Sequence, residues 1–158
     1  MRTMNQAGNV SVSPTAGEGA PFDPGINEAM IEGLVRAFYG RARLDPLLGP
    51  VFEAAVTDWE AHIGRLCAFW SSITLKSGRY RGEPMAAHVP LPIDSPHFER
   101  WLELFADTVE KMCLPAAAAV FMGRANQIAD SLELGMAAKR GEIKSAVDRP
   151  IRAERARA

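Results

Sequence analysis

Apolar side chains recur at steps of three and four residues along most of the chain, and this spacing gives a helix one apolar face. Between Asn27 and Arg43 the apolar positions are Ile31, Leu34, Val35, Phe38 and Ala42. A second helix, predicted from Asp58 to about Ile73, has His62 on the same arc as Trp59, Ile63, Leu66, Trp70 and Ile73. No stretch of useful length alternates with period two, so the sequence predicts an all-α fold.

Capping signals predict two more long helices. Ser95 is expected to be the N-cap of the third helix, with Pro96 at the first helical position and His97 exposed and without a role. The apolar positions of this helix are Phe98, Trp101, Leu102, Phe105, Val109 and Met112. Pro115 opens the fourth helix, which Gly141 is expected to end.

Two shorter segments lie between these helices. Asp45 and Pro46 end the first helix, and the residues after them predict a short turn that delivers Phe52 into the core. Residues 84–88 leave room for only one helical turn, because the prolines at positions 90 and 92 then extend the chain. His88 is therefore expected at the end of a single turn.

Composition divides the chain into one domain with two polar ends. At 158 residues, 47% of them hydrophobic, the chain can bury one core. Residues 1–25 are dominated by Gly, Pro, Ser, Thr and Asn and predict a disordered leader, and residues 26–140 form the predicted globular domain. The net charge is -1, but seven Lys or Arg and three Asp or Glu follow Ala138, so residues 141–158 are predicted to be a basic tail.

The sequence gives no support for a membrane-spanning, secreted or nucleic-acid-binding protein. The longest apolar run, residues 112–122, is far below the roughly 18 residues that cross a bilayer, and the first 25 residues do not resemble a signal peptide. We therefore expect a cytoplasmic protein, a monomer or weak dimer, with no membrane or nucleic-acid partner. Cys67 and Cys113 form no CxxC or CxxCH motif and are expected to be inert.

Two histidines that are predicted to point inward, His62 and His88, raise the question of function. They lie 26 residues apart on separate helices, and each could be a core imidazole bonded to a carbonyl. Zinc would need three or four ligands, and Cys67 lies about 140° around the helix from His62. A Cys-His hydrolytic site would lack a paired carboxylate and a glycine-rich elbow. Haem suits the pattern better, because it needs one neutral imidazole and an aromatic slot.

Several motifs between residues 38 and 102 carry a family resemblance. The sequence contains FY at 38–39, DPLLGPVF at 45–52, HIGRLCAFW at 62–70, MAAHVPLPI at 85–93 and HFERWL at 97–102. These motifs, in this order on the expected helices, resemble the truncated haemoglobins and are most similar to the third group of that family. The resemblance covers residues 26–139 and implies a two-over-two helical sandwich around haem b, iron protoporphyrin IX.

The resemblance also implies roles for single residues. His88 matches the iron ligand, and Phe52 matches the phenylalanine that stacks on the porphyrin. The distal, ligand-facing positions are matched by Tyr39, His62 and Trp101. Phe69 lines the same slot as His62. The residues offered for the haem propionates are Arg79, Tyr80 and Arg81.

Two functions follow from the resemblance, and a third does not depend on it. The first is reversible binding of O2, NO and CO at a pentacoordinate iron in a polar distal pocket. The second is consumption of the ligand, as a nitric oxide dioxygenase or a peroxidase-like enzyme. Because the chain has no flavin or reductase domain, turnover would need a reductase in trans. The third is a four-helix interaction module without haem.

Overall fold

The computed structural model describes residues 23–142, which form six helices and no strand. The helices are α1 Glu28–Ala42, α2 Gly49–Ala55, α3 Trp59–Leu75, α4 Pro84–His88, α5 Ser95–Met112 and α6 Pro115–Lys139. The all-α prediction is confirmed. None of the helices in this part of the chain combines the length and the apolarity needed to cross a membrane. Most of the predicted leader and tail, residues 1–22 and 143–158, lies outside the described residues.

Side-chain caps begin two of the long helices. The Asn27 side chain accepts a hydrogen bond from the backbone N–H of Met30 at 2.9 Å, and α1 begins at Glu28, directly after Asn27. Asp58, the predicted cap of α3, accepts from the N–H of Ala61 at 3.1 Å. Such caps satisfy backbone donors that a helix leaves without partners. The predicted starts of these helices are confirmed.

The start of α5 differs from the prediction by one residue. Asp94, and not Ser95, is the N-cap, so Ser95 and Pro96 occupy the first two helical positions. His97 is half-buried, and its Nδ1 accepts from the backbone N–H of Asp94 at 3.1 Å. The expectation that His97 is exposed is therefore wrong, because its ring completes a reciprocal capping box.

The segment predicted to be a turn after α1 is the short helix α2. Gly49 and Pro50 stand at its start, where proline is tolerated. The buried Asp45 carboxylate accepts from the N–H groups of Leu47 and Leu48, each at 3.0 Å, and from Arg100 at 2.6 Å. The sequence had suggested that Phe52 lies inside the core. In the structure it is half-buried at the edge of the core.

Four long helices form two layers around one aromatic core. Helix α1 packs on α3 and α5, and α6 packs on α3, α4 and α5. Trp101 and Trp70 lie on either side of Phe105, with both centroid distances at 5.1 Å and the rings nearly parallel. Met112, predicted to be part of the α5 stripe, is the last residue of that helix and is 46% exposed. The packing agrees with the two-over-two sandwich.

Candidate functional site

Tyr39 of α1 is the centre of the first group of predicted site residues. It is only 6% exposed, and its ring makes edge contacts with Phe52 of α2 at 5.5 Å and with His62 of α3 at 6.0 Å. Trp59, at the first position of α3, lies 6.3 Å from it. The C-terminal half of α1, the middle of α2 and the first turn of α3 thus bring together three predicted residues that are separated in sequence.

The Tyr39 hydroxyl is held as a neutral hydrogen-bond donor. Burial raises the pKa of Tyr39 to about 12, and a hydrogen bond from the Trp101 side chain only partly opposes this rise. An indole N–H donates and cannot accept, so the phenol oxygen is the acceptor in this pair. The hydroxyl proton is then available to a further acceptor.

His62 reaches the same group from α3. Its half-buried ring stands edge-on to Tyr39 and, at 5.6 Å, to Trp59. Burial lowers the pKa of His62, and the charges of Arg65 and His88 lower it further. The imidazole is therefore neutral near pH 7.

His88, the last residue of α4, has one ring nitrogen committed to the backbone. Its Nδ1 lies 2.6 Å from the carbonyl oxygen of Pro84, one helical turn earlier. A carbonyl oxygen only accepts, so Nδ1 carries the proton and donates. This assigns the tautomer in which Nε2 keeps its lone pair, and the same bond orients the ring. His88 is therefore prepared to bind a metal through Nε2.

Two faces of α3 are buried, and they differ in depth. Ile63 and Trp70 belong to the fully buried core. On the side of His62, at helical spacing from it, Leu66, Phe69 and Ile73 are only half-buried. The sequence periodicity had assigned the residues of both faces to a single apolar arc. Apolar side chains that the protein covers only in part are suited to contact a flat apolar group.

The residues predicted for the haem propionates do not all join this group. Arg79 forms an ion pair with Glu28 of α1 at 2.5 Å, so it has another partner in this structure. Tyr80 packs edge-on against Phe69 at 5.2 Å, and this contact keeps it beside the slot-lining face of α3. The nearby Arg81 is exposed. A propionate role for Arg79 would require the exchange of its ion pair.

Trp59 is a site residue that the sequence analysis placed only in the core stripe. Its ring contacts Tyr39, His62 and, at 5.9 Å, Phe52. The guanidinium of Arg43 lies 4.2 Å above the ring, a cation–π arrangement. Its spacing from His62 could have identified Trp59 as a site residue, because a residue three positions before His62 lies on the same face of the helix.

A metal held by protein ligands alone has no support in the described residues. Within residues 23–142 no group of three His, Cys, Asp or Glu side chains could hold a metal ion. A groove of about 560 Å³ lies beside α4, but its lining between Gly82, Pro90 and Lys139 includes neither His62 nor His88. A single imidazole such as that of His88 could still serve a haem iron, because haem supplies the other ligands itself.

Comparisons with known proteins agree with this geometry. The family described as bacterial-like globin matches residues 24–131. A Group 3 truncated hemoglobin of Campylobacter jejuni is 32% identical over 113 residues, which are 68% of this chain and 89% of that protein. The chain belongs to the bacterial-like globins. The prediction of a truncated haemoglobin, most similar to the third group, is confirmed.

Further matches are consistent with this membership. The crystal structure of group III truncated hemoglobin from Campylobacter jejuni gives a TM-score of 0.65 at 33% identity, covering 68% of this globin and 89% of that chain. A Group 2 truncated hemoglobin of Bacillus subtilis is 28% identical over 97 residues, 60% of this globin and 73% of that protein. Membership implies a haem-binding globin that binds diatomic gases such as O2.

Proposed function

We propose that this globin holds haem b through His88 and binds O2, NO and CO at a pentacoordinate iron, on the side where Tyr39, His62 and Trp101 meet. The observation that carries the proposal is the hydrogen bond from His88 Nδ1 to the Pro84 carbonyl, which leaves the Nε2 lone pair free to bind a metal. When bound, haem supplies an iron with one open position for a diatomic ligand.

The open position follows from the placement of His62. Its ring rests edge-on against Tyr39 and Trp59, and these contacts hold it on the wall of the pocket. Its neutral state means that no bound proton prevents coordination, so the packing must keep the imidazole away from the iron. We propose a gate role for His62 at this wall.

The polar character of the pocket comes from Tyr39. With its oxygen accepting from Trp101 and its pKa raised to about 12, the phenol keeps its proton and can donate it to a ligand with partial negative charge. Trp101 fixes the direction of that donation, because its own ring is stacked on Phe105. We assign Tyr39 the direct contact and Trp101 the supporting one.

The cofactor is held mainly by apolar contact. Phe52 and Phe69 present half-buried rings from α2 and α3, and Tyr80 supports Phe69. Burial of such rings against a porphyrin contributes free energy in proportion to the apolar area covered. Arg79 can pair with a propionate if it leaves Glu28.

The rates of ligand release test the proposal. Tyr39→Phe and Trp101→Phe should each raise the O2 dissociation rate by roughly tenfold or more, since a hydrogen bond to a charged group contributes about 1.5–3 kcal/mol. The effect of Trp101→Phe should be the smaller one. Carbon monoxide carries little charge and is the internal control, so its dissociation should change much less. Equal changes for both gases would indicate steric access and contradict the polar pocket.

One further measurement distinguishes reversible ligand binding from turnover of the ligand. Reversible binding predicts that nitric oxide is not consumed faster than by free haem when a cellular reductant is supplied. Sustained consumption would instead assign ligand turnover, with a reductase in trans. A cytoplasmic location remains part of the proposal.

A further inference from the structure

We propose that Arg140, at the end of α6, is a positioning residue for His88. It ties down the loop that follows the histidine and so fixes the direction in which the imidazole faces the haem. The proposal rests on the proposed function, in which His88 binds the iron. Arg140 lies 52 positions after His88 in the chain, and the sequence had grouped it only with the basic residues near the C-terminus.

Both arms of the Arg140 guanidinium contact backbone carbonyls of that loop. Nη2 donates to the Leu91 carbonyl at 2.6 Å, and Nη1 donates to the Ile93 carbonyl at 3.0 Å. Nη1 also lies 3.5 Å from the Asp94 carboxylate. A planar guanidinium that bridges two acceptors constrains both of them with a fixed fork of donors, which a lysine ammonium lacks.

These contacts connect directly to the backbone of His88. The Leu91 N–H donates to the His88 carbonyl at 2.9 Å, and the Ile93 N–H donates to the Leu91 carbonyl at 2.9 Å. The Leu91 carbonyl therefore accepts from both Ile93 and Arg140. One hydrogen-bonded residue, Leu91, thus separates the guanidinium from the residue that carries the proposed iron ligand.

The end of α6 explains why Arg140 stands where it does. Arg140 is the C-cap residue, and Gly141 follows with a φ of +74°, a left-handed conformation that favours glycine. The N–H of Gly141 donates to the Ala138 carbonyl at 3.1 Å and that of Glu142 to the Ala137 carbonyl at 2.9 Å. This pair of bonds is a Schellman motif, which stops the helix at a fixed residue.

A second contact with α6 holds the other side of His88. The Met85 thioether of α4 lies against Gly135, where a methyl group would overlap its terminal atoms. Met85 accepts from the Val89 N–H at 3.0 Å and so belongs to the same turn as His88. The last two turns of α6 therefore contact the chain on both sides of the histidine.

The short α4 helix needs these contacts. It has five residues and no side-chain cap, and a helix of this length is not stable by itself. The prolines at positions 90 and 92 have no N–H to add to the loop's hydrogen bonds. Without Arg140, the segment after His88 would lose its strongest anchor to the rest of the fold.

Two readouts on the haem-loaded protein test this role. Arg140→Met keeps the aliphatic stem and removes the donors, Arg140→Lys keeps one charge without the fork, and Lys139→Met is the exposed control next to it. Amide exchange of Leu91 and Ile93 should accelerate by roughly tenfold or more in Arg140→Met, because one charged hydrogen bond contributes at least that factor. The iron–histidine stretching band of the ferrous protein should shift or broaden in Arg140→Met, less in Arg140→Lys, and not in Lys139→Met.

The outcomes separate this inference from the proposed function. An unchanged band and unchanged exchange in Arg140→Met would overturn the positioning role, as would a lower melting temperature with an unchanged band. Absence of an iron–histidine band in the wild-type protein would instead overturn the assignment of His88. A shifted band in Arg140→Met with a normal band in the wild type and in Lys139→Met supports both.

Discussion

At Tyr39, burial decides the chemistry of the phenol. With its pKa at about 12, the side chain stays protonated across the physiological range, and its donor strength does not vary with pH there. His62 differs, because burial and the charges of Arg65 and His88 lower its pKa from the ordinary value of 6.5. Of these two groups, His62 is therefore the one whose charge can change near physiological pH.

The His62→Leu variant separates a gate from a donor. As a gate, His62 sets the path into the pocket, so the substitution should change the association rates of O2 and CO similarly and leave O2 dissociation near wild type. A donor would instead be lost, and O2 dissociation would accelerate. Flash photolysis and stopped-flow mixing measure both rates, and a large rise in O2 dissociation with unchanged association would rule out the gate.

The lowered pKa of His62 predicts that the proposed gate opens as the pH falls. The unfolded chain and an outward-facing imidazole take up a proton near pH 6.5, whereas the buried ring takes it up only at lower pH. Stability that depends on the buried neutral ring is present above pH 6.5 and is lost as the pH falls through the lowered value. CO association in the wild type should therefore rise below about pH 6.5, and His62→Leu should lack that rise.

At the scale of helices, the corner between α1 and α2 depends on one close approach. A Cβ at Gly49 would lie 2.5 Å from the carbonyl oxygen of Arg43, which is backbone and cannot move aside cheaply. Gly49→Ala should therefore lower the free energy of unfolding by about 1–3 kcal/mol and displace α2 with Phe52. Urea denaturation measures the effect.

Gly64 provides the matched control for this substitution. It lies exposed within α3, and a Cβ there would meet nothing within 4 Å. Gly64→Ala should raise stability by about 0.5–1 kcal/mol, because alanine loses less backbone freedom in a helix. If Gly49→Ala behaved like Gly64→Ala, the close approach at the corner would not matter.

The long helices were predictable because each has enough residues for its apolar period to stand out. Helix α2 was not, since seven residues make about two turns and its glycine and proline also suit a turn. Its helical form depends on the Asp45 carboxylate, whose partner Arg100 lies 55 positions away. The shift at the start of α5 has a similar cause, because Asp94 and Ser95 are both good caps and the His97 ring decides between them.

The candidate site was predictable where family motifs carried it and not where long-range contacts did. The motifs named Tyr39, Phe52 and His62 as site residues, and the rings of Phe52 and His62 both contact Tyr39 in the structure. The ion pair of Arg79 with Glu28 and the contacts of Arg140 with the loop after His88 join residues 47 or more positions apart. A single sequence has no local signal for such pairs, because the folded packing alone brings them together.

For the whole molecule, the layers of helices carry the residues of the proposed haem site. Helices α1 and α3 carry Tyr39 and His62, while α4, held against α6, carries His88. A ligand that binds only the folded protein stabilises it. Haem bound between these layers should therefore raise the melting temperature, and the rise should depend on His88.

The His88→Gly variant tests the central claim, that His88 binds the haem iron, most directly. His97→Gln is the matched control, because that histidine belongs to the α5 capping box and a glutamine can replace it there. The measurement is the haem content and ferrous absorption spectrum of each purified protein, with and without added imidazole. We expect His88→Gly to lose stable haem binding, imidazole to restore most of the spectrum, and His97→Gln to match wild type. Wild-type haem content and an unaltered ferrous spectrum in His88→Gly without imidazole would contradict the account.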